Sequence, residues 1–147
     1  MPSYLSFARF YDGLMQDACY EKRCDYILKL AERFGHDMGI TLDLACGTGT
    51  LTRLLKKRGV DVFGIDYSME MLSEAMQSAS EEGLDILFLR QKMQSIDLYG
   101  TINTCVCTLD SINHLTKIED VAKTFDRVGL FMDDDGLFIF DVNTVYK

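Results

Sequence analysis

The chain has 147 residues, enough to bury a real core within one domain. Apolar residues make up 48% of it and Pro2 is the single proline, the profile of an ordinary soluble globular protein. Fifteen Lys and Arg against twenty-three Asp and Glu give a net charge of −8. That field repels phosphate backbones, so nucleic acid is a disfavoured partner and a small cationic or zwitterionic ligand a better match.

No apolar run reaches the roughly 20 residues that span a bilayer, and the N-terminus lacks a signal-peptide pattern, so cytoplasmic residence is expected. The five cysteines, at 19, 24, 46, 105 and 107, are odd in number and form no C-x-x-C pair. His36 and His114 stand at no familiar metal spacing. Cys105 and Cys107 would point the same way from one strand, but reduced, mostly buried thiols and no metal are the expectation.

In chain order, Tyr26, Ile27, Leu30, Ala31 and Phe34 recur at helical spacing, with Gly35 as a C′ residue. From residue 40 onward strands and helices alternate. Residues 40–45 form a short apolar strand interrupted by Asp43. Residues 50–58 read as a helix with Leu51, Leu54 and Leu55 on one face; Lys56, Lys57 and Arg58 suit its negative end, and Gly59 stops it.

A second strand covers 61–65. Ser68 can cap a helix with Met69, Leu72, Ala75, Met76 and Ala79 as its buried stripe, ending before Gly83. Residues 86–89 and 102–109 are further strands. Thr116 and Glu119 form a capping box ahead of Ile118, Val121, Ala122, Phe125 and Val128. Asp133, Asp134 and Asp135 read as a solvated turn, and Asp135-Gly136 leads into a strand at 137–140.

Strands separated by helices imply an α/β fold: a mainly parallel sheet with helices on both faces, binding ligands beyond the carboxyl ends of its strands. The loop after the first strand, Leu42-Asp43-Leu44-Ala45-Cys46-Gly47-Thr48-Gly49-Thr50, is the most informative stretch. A dinucleotide fingerprint wants Gly or Ala three residues after the second glycine, where this chain has Thr52. Asp43 precedes the first glycine by four residues; facing the ligand, it would repel a pyrophosphate and suit an ammonium and a sulfonium. Asp66, reached from the second strand through Gly64, can accept both hydroxyls of a ribose in charge-assisted bonds.

These residues carry a resemblance. The run 42–50 resembles motif I of class I S-adenosylmethionine-dependent methyltransferases, and Gly64-Ile65-Asp66-Tyr67-Ser68 resembles their second motif. Phe7-Ala8-Arg9-Phe10-Tyr11-Asp12-Gly13-Leu14-Met15 is similar to the N-terminal helix of small bacterial members. Asp110-Ser111-Ile112-Asn113-His114-Leu115 is similar to their segment after the fourth strand. The resemblance implies a Rossmann-like αβα sandwich with strand order 3-2-1-4-5 in one domain over 1–147. Within it, 1–38 would form N-terminal helices and 39–147 the β/α core.

S-adenosyl-L-methionine is the implied cofactor. Its ribose falls to Asp66 and its methionine part to the loop of Ala45, Gly47 and Gly49, with Asp43 on the ligand side. Tyr67 and Met71 would contact adenine, Tyr11 the methionine carboxylate, and Asp110 would border the reacting edge. Gln91 and Met93 follow the third strand, where the family offers an acidic or amide group to the adenine amine; Lys92 stands at the usual acidic place. No catalytic base is demanded, and His114 reads as structural.

The family sheet has seven strands, and only five are counted here, with the last two absent. The chain therefore reads as a fragment or truncated product whose fifth strand leaves an apolar sheet edge that a second copy could cover. A nicotinamide- or flavin-dependent oxidoreductase and a non-catalytic S-adenosylmethionine-binding module are the alternatives.

Overall fold

The computed structural model describes residues 17–108 and 117–140. Its elements are α1 (Asp17–Arg33), β1 (Ile40–Leu44), α2 (Thr50–Lys57), β2 (Asp61–Asp66), α3 (Met69–Glu81), β3 (Phe88–Arg90), a 3-10 turn (Met93–Ser95), β4 (Ile102–Cys107), α4 (Ile118–Phe131) and β5 (Met132–Phe140). The five strands form one sheet of order β3-β2-β1-β4-β5, and every neighbouring pair is parallel. Both the order and the Rossmann-like layering agree with expectation.

Two apolar clusters cover the two faces of the sheet. On one face Val62 and Val106 meet Leu51 and Leu55 of α2 and Tyr20, Cys24 and Ile27 of α1. On the other, Leu42, Leu44, Ile65, Cys105 and Cys107 meet Val128 of α4 and Ile96 of the segment after β3. The alternation along β1 sends Leu42 and Leu44 to one side and Thr41 and Asp43 to the other, all four buried. Each fully buried Leu or Ile contributes about 1.5–3 kcal/mol.

Several facing assignments need correction. In α1, Tyr20, Cys24, Ile27 and Ala31 are buried, whereas Tyr26 and Phe34 are 63% and 67% exposed. The true stripe steps by three and four residues from Tyr20; it keeps the expected Ile27 and Ala31, adds Tyr20 and Cys24, and leaves out Tyr26 and Phe34, the latter one residue past the helix. In α3, Met71 joins Leu72, Ala75 and Ala79 in the interior, while Met69 and Met76 face outward. In α4, Thr124 and Val128 are the buried residues and Ile118 and Phe125 are not. Lys117 stands at the N-cap of α4 without a side-chain hydrogen bond; Thr116 lies outside the described residues.

β3 starts at Phe88, not residue 86. β5 starts earlier than expected, at Met132, because Ile102 pairs with Met132 and Thr104 with Leu137, so the intervening residues loop out. The Asp133–Asp135 triplet is exposed there as anticipated. Among the described residues no helix is long and apolar enough to cross a membrane.

Candidate cofactor site

The carboxyl ends of β1, β2 and β3 converge on one rim of the sheet. β1 runs out of Leu44 into Ala45, which adopts φ 61°, a left-handed conformation that costs a residue with a Cβ about 1–2 kcal/mol. The Cys46 N–H then donates to the Ile65 carbonyl at 2.9 Å, carrying the β1–β2 ladder one step further. Gly47 (φ 58°) turns the chain, and Gly49 (φ 78°) occupies the N-cap of α2.

The two glycines differ in why they must be glycine. A Cβ on Gly49 would lie 3.0 Å from the Ala75 Cβ of α3 and 3.2 Å from the Phe88 ring of β3, so tight packing adds to its left-handed backbone in disfavouring one. A Cβ on Gly47 would meet nothing within 4 Å. The backbone at Gly47 therefore borders open space, a cradle that leaves a ligand room to approach the peptide itself.

Asp66, the last residue of β2, closes this cradle. Its Oδ2 accepts the Gly47 N–H at 2.8 Å and its Oδ1 accepts the Ser68 N–H at 2.9 Å. A carboxylate has about four acceptor positions, so two remain for a ligand's hydroxyl donors. Sequence reading placed Asp66 and the glycine loop in one site, and the structure brings them into direct contact. Gly64, two residues earlier, lets β2 pass beneath the loop: a Cβ there would lie 2.8 Å from the Cys46 Sγ and 2.9 Å from Phe88.

Asp43 sits deeper. It is 2% exposed and accepts the Thr52 hydroxyl at 2.7 Å. Burial pushes its carboxyl up to about 7, against the lowering effect of the Thr52 bond and helped by the negative charge of Asp66. Thr52, which in the sequence only disqualified a dinucleotide fingerprint, thus satisfies the buried acid from the first turn of α2. Its place three residues after Gly49, above an in-strand acid, was the available signal. Burial and the same two carboxylates drive the Cys46 thiol well above the ordinary thiol range, so it stays neutral and is no nucleophile.

Tyr67 follows Asp66 and is 51% exposed at the rim. Arg90 donates from Nε to the Tyr67 carbonyl at 2.9 Å, with its guanidinium carbon 4.6 Å from the ring centroid. Lys92 Nζ lies 5.2 Å from the same centroid. Neither cation was singled out as part of the site from sequence, where Lys92 registered only as a departure.

Gln91 and Met93 do not join this group through their side chains. The Gln91 amide is committed to the Asp97 backbone, donating to its carbonyl at 3.1 Å and accepting its N–H at 2.9 Å. It lines a separate open groove of about 790 Å³ with Leu87, Leu89, Leu98 and Tyr99. Only the Gln91 backbone serves the site, its N–H donating to the Asp66 carbonyl at 3.1 Å. Met93 packs against the core on the α4 face, and the Met71 side chain is buried. Tyr11, Asp110 and His114 lie outside the described residues. Among the described residues no three His, Cys, Asp or Glu side chains are grouped to hold a metal ion.

Comparison with known proteins agrees with this geometry. A family model described as a methyltransferase domain matches residues 41–136. A Bacillus subtilis (strain 168) protein named as a methyltransferase is 39% identical over 145 residues, covering 98% of this chain and 57% of the relative. A Geobacillus protein (strain WCH70), also named as a methyltransferase, is 34% identical over 146 residues, covering 99% of this chain and 59% of the relative. Among solved structures, an S-adenosylmethionine-dependent methyltransferase from Clostridium acetobutylicum ATCC 824 superposes with a TM-score of 0.87 at 34% identity, over 98% of this chain and 59% of that one. The chain thus spans under three-fifths of the length of these relatives. With the glycine cradle, the closing carboxylate and the sheet order all accounted for, the chain belongs to the methyltransferase-domain family.

Proposed function

We propose that this chain is the cofactor-binding part of a methyltransferase that transfers the methyl group of S-adenosyl-L-methionine to a small-molecule acceptor. The observation that carries the reading is the contact between Asp66 and the Gly47 N–H, which sets a carboxylate with spare acceptor capacity beside an open stretch of backbone. A ribose diol fits the first and an amino-acid tail the second. When bound, the cofactor supplies a methyl carbon on a sulfonium, which is activated for in-line displacement by its own charge.

The residues contribute binding and orientation. Asp66 accepts the ribose hydroxyls; Ala45, Gly47 and Gly49 pass under the methionine part; Asp43, from below the loop, offsets the ammonium in its ionised form, which that neighbouring positive charge favours; Tyr67 presents its ring to adenine. Tyr11 and Asp110 take the methionine end. Holding a nucleophile about 3 Å from the methyl carbon and excluding water can supply several kcal/mol of the barrier, so the chemistry requires no general base from this chain.

The net charge of −8 favours a small acceptor over a nucleic acid. Cytoplasmic residence fits the buried, unbridged thiols of Cys24 and Cys105. The outer edge of β5, where Phe140 is 42% exposed, is the surface over which two copies would associate.

Calorimetric titration tests the reading. The chain is expected to bind S-adenosylhomocysteine in preference to NAD. Asp66→Ala should weaken that binding about ten- to 150-fold, on the order of 1.5–3 kcal/mol. Unchanged affinity in the variant refutes the ribose assignment, and a preference for NAD over S-adenosylhomocysteine refutes the cofactor assignment.

A further inference from the structure

Tyr67 poses a mechanical problem for the site just described. A side chain 51% exposed is not held by core packing, so a ring meant to receive a flat base would otherwise spread over its rotamers and lose that freedom only when the ligand arrives. Arg90 addresses both halves of the residue. Its Nε grips the Tyr67 carbonyl at 2.9 Å, and its guanidinium lies 4.6 Å from the ring centroid. One side chain thus restrains the backbone and the ring of the same neighbour.

Arg127 likewise sets its guanidinium over the Phe131 ring and donates to the Ile96 carbonyl, but at Arg90 the ring and the carbonyl belong to one residue at the rim of the site. In a chain of net charge −8 a surface arginine has many carboxylates to choose from. Arg53 pairs with Glu82 at 2.7 Å and Arg58 with Asp25 at 2.6 Å. Among the described residues no carboxylate pairs with Arg90, and its planar cation stands on an aromatic ring. Lys92 adds a second cation 5.2 Å from the same centroid. Between them the Gln91 N–H bonds the Asp66 carbonyl at 3.1 Å. Three consecutive residues at the end of β3 therefore all serve the Asp66–Tyr67 corner.

We propose that Arg90 is a positioning residue for the base-binding end of the site, holding Tyr67 as a ready platform, with Lys92 in a lesser supporting role. Arg90 acts through Tyr67 and touches no reacting atom, and its role rests on reading Asp66 as the ribose carboxylate. A guanidinium on one face of the ring leaves the other face for a purine, and removing water from around the trio on binding strengthens the cation–ring attraction.

A double-mutant cycle on S-adenosylhomocysteine affinity tests this. Arg90→Ala should weaken binding about five-fold and Lys92→Ala about two-fold or less. In a Tyr67→Ala background, Arg90→Ala should cost nothing more, since the platform is already gone. Arg90→Lys should recover part of the loss by keeping a cation over the ring. A merely structural role would shift the thermal midpoint and leave this coupling at zero. Losses that add in the double variant overturn the proposal, as does tighter binding by Arg90→Ala, which would put the guanidinium where the base goes. A wild-type chain that binds no S-adenosylhomocysteine overturns the site reading and Arg90's role with it. Wild-type binding with an unaffected Arg90→Ala variant overturns Arg90's role alone.

Discussion

The two halves of the sheet are built on different terms. Around β1, β2 and β3, backbone and polar groups are tightly interlocked: Asp66 bonds Gly47 and Ser68, Thr52 bonds Asp43, and Gly64 admits Phe88 and Cys46 at close range. Around β4, β5 and α4, apolar groups are left partly in solvent. The rings of Phe125, Phe138 and Phe140 cluster with centroids 5.1–5.4 Å apart, yet Phe125 and Phe140 remain 36% and 42% exposed. The first half uses buried polar groups to shape a site, which is costly in stability. The second keeps an apolar surface that the described residues do not cover.

The sharpest test of that contrast is pH. The folded-state value of Asp43 is raised from 3.8 to about 7. The native state therefore holds a proton that the unfolded chain releases, and stability through this group is full below 3.8 and lost as pH rises toward 7. The loss is on the order of 4 kcal/mol. Asp43→Asn, which still offers Thr52 an acceptor, should flatten this slope, so that chemical denaturation finds the variant increasingly the more stable from about pH 4 upward. Under the proposed function the same variant should bind S-adenosylhomocysteine more weakly, so fold and site should respond with opposite sign. Parallel slopes for the two proteins would remove Asp43 as the source.

Next in size is Gly64→Ala, which forces a methyl group against the Cys46 Sγ and the Phe88 ring. Overpacking of this kind costs about 1–3 kcal/mol, and because the loop lies directly above, ligand affinity should fall with stability. A stable variant with intact binding would show that the loop is looser than its contacts imply. The smallest expected effect is at the other half. Phe140→Ala, removing a half-exposed ring, should cost about 1 kcal/mol or less of monomer stability but should reduce self-association in light scattering. A wild-type chain that is monomeric at every concentration would end the edge-pairing proposal.

The interlocked half was also the more legible in sequence. Gly47, Gly49 and Gly64 sit where backbone conformation or close packing favours glycine, and Asp66 where two backbone amides need an acceptor, so their offsets from one another carry the geometry. Pattern reading erred where choices are free. The apolar residues of α1 and α4 span a wider arc than the stripe that contacts the sheet, and nothing in the spacing distinguishes Phe34 or Ile118 from the residues that turn inward. The looped-out start of β5 was hidden because three aspartates look the same in a turn and in a bulge. Thr52 and Arg90 escaped because their roles depend on partners from other elements, Asp43 and Tyr67, whose distance along the chain signals nothing. The order of the strands came from the family resemblance and not from periodicity.

The bond from the Gly47 amide to Asp66 has one more consequence. Because the protein's own hydrogen bond pins the bend to the second strand, arrival of a nucleoside need not freeze a floppy segment, and the entropic cost of ordering falls mainly on the ligand itself. Encounter should then be a docking event into a standing mould, with association governed by diffusion and dehydration and little slowed by backbone rearrangement.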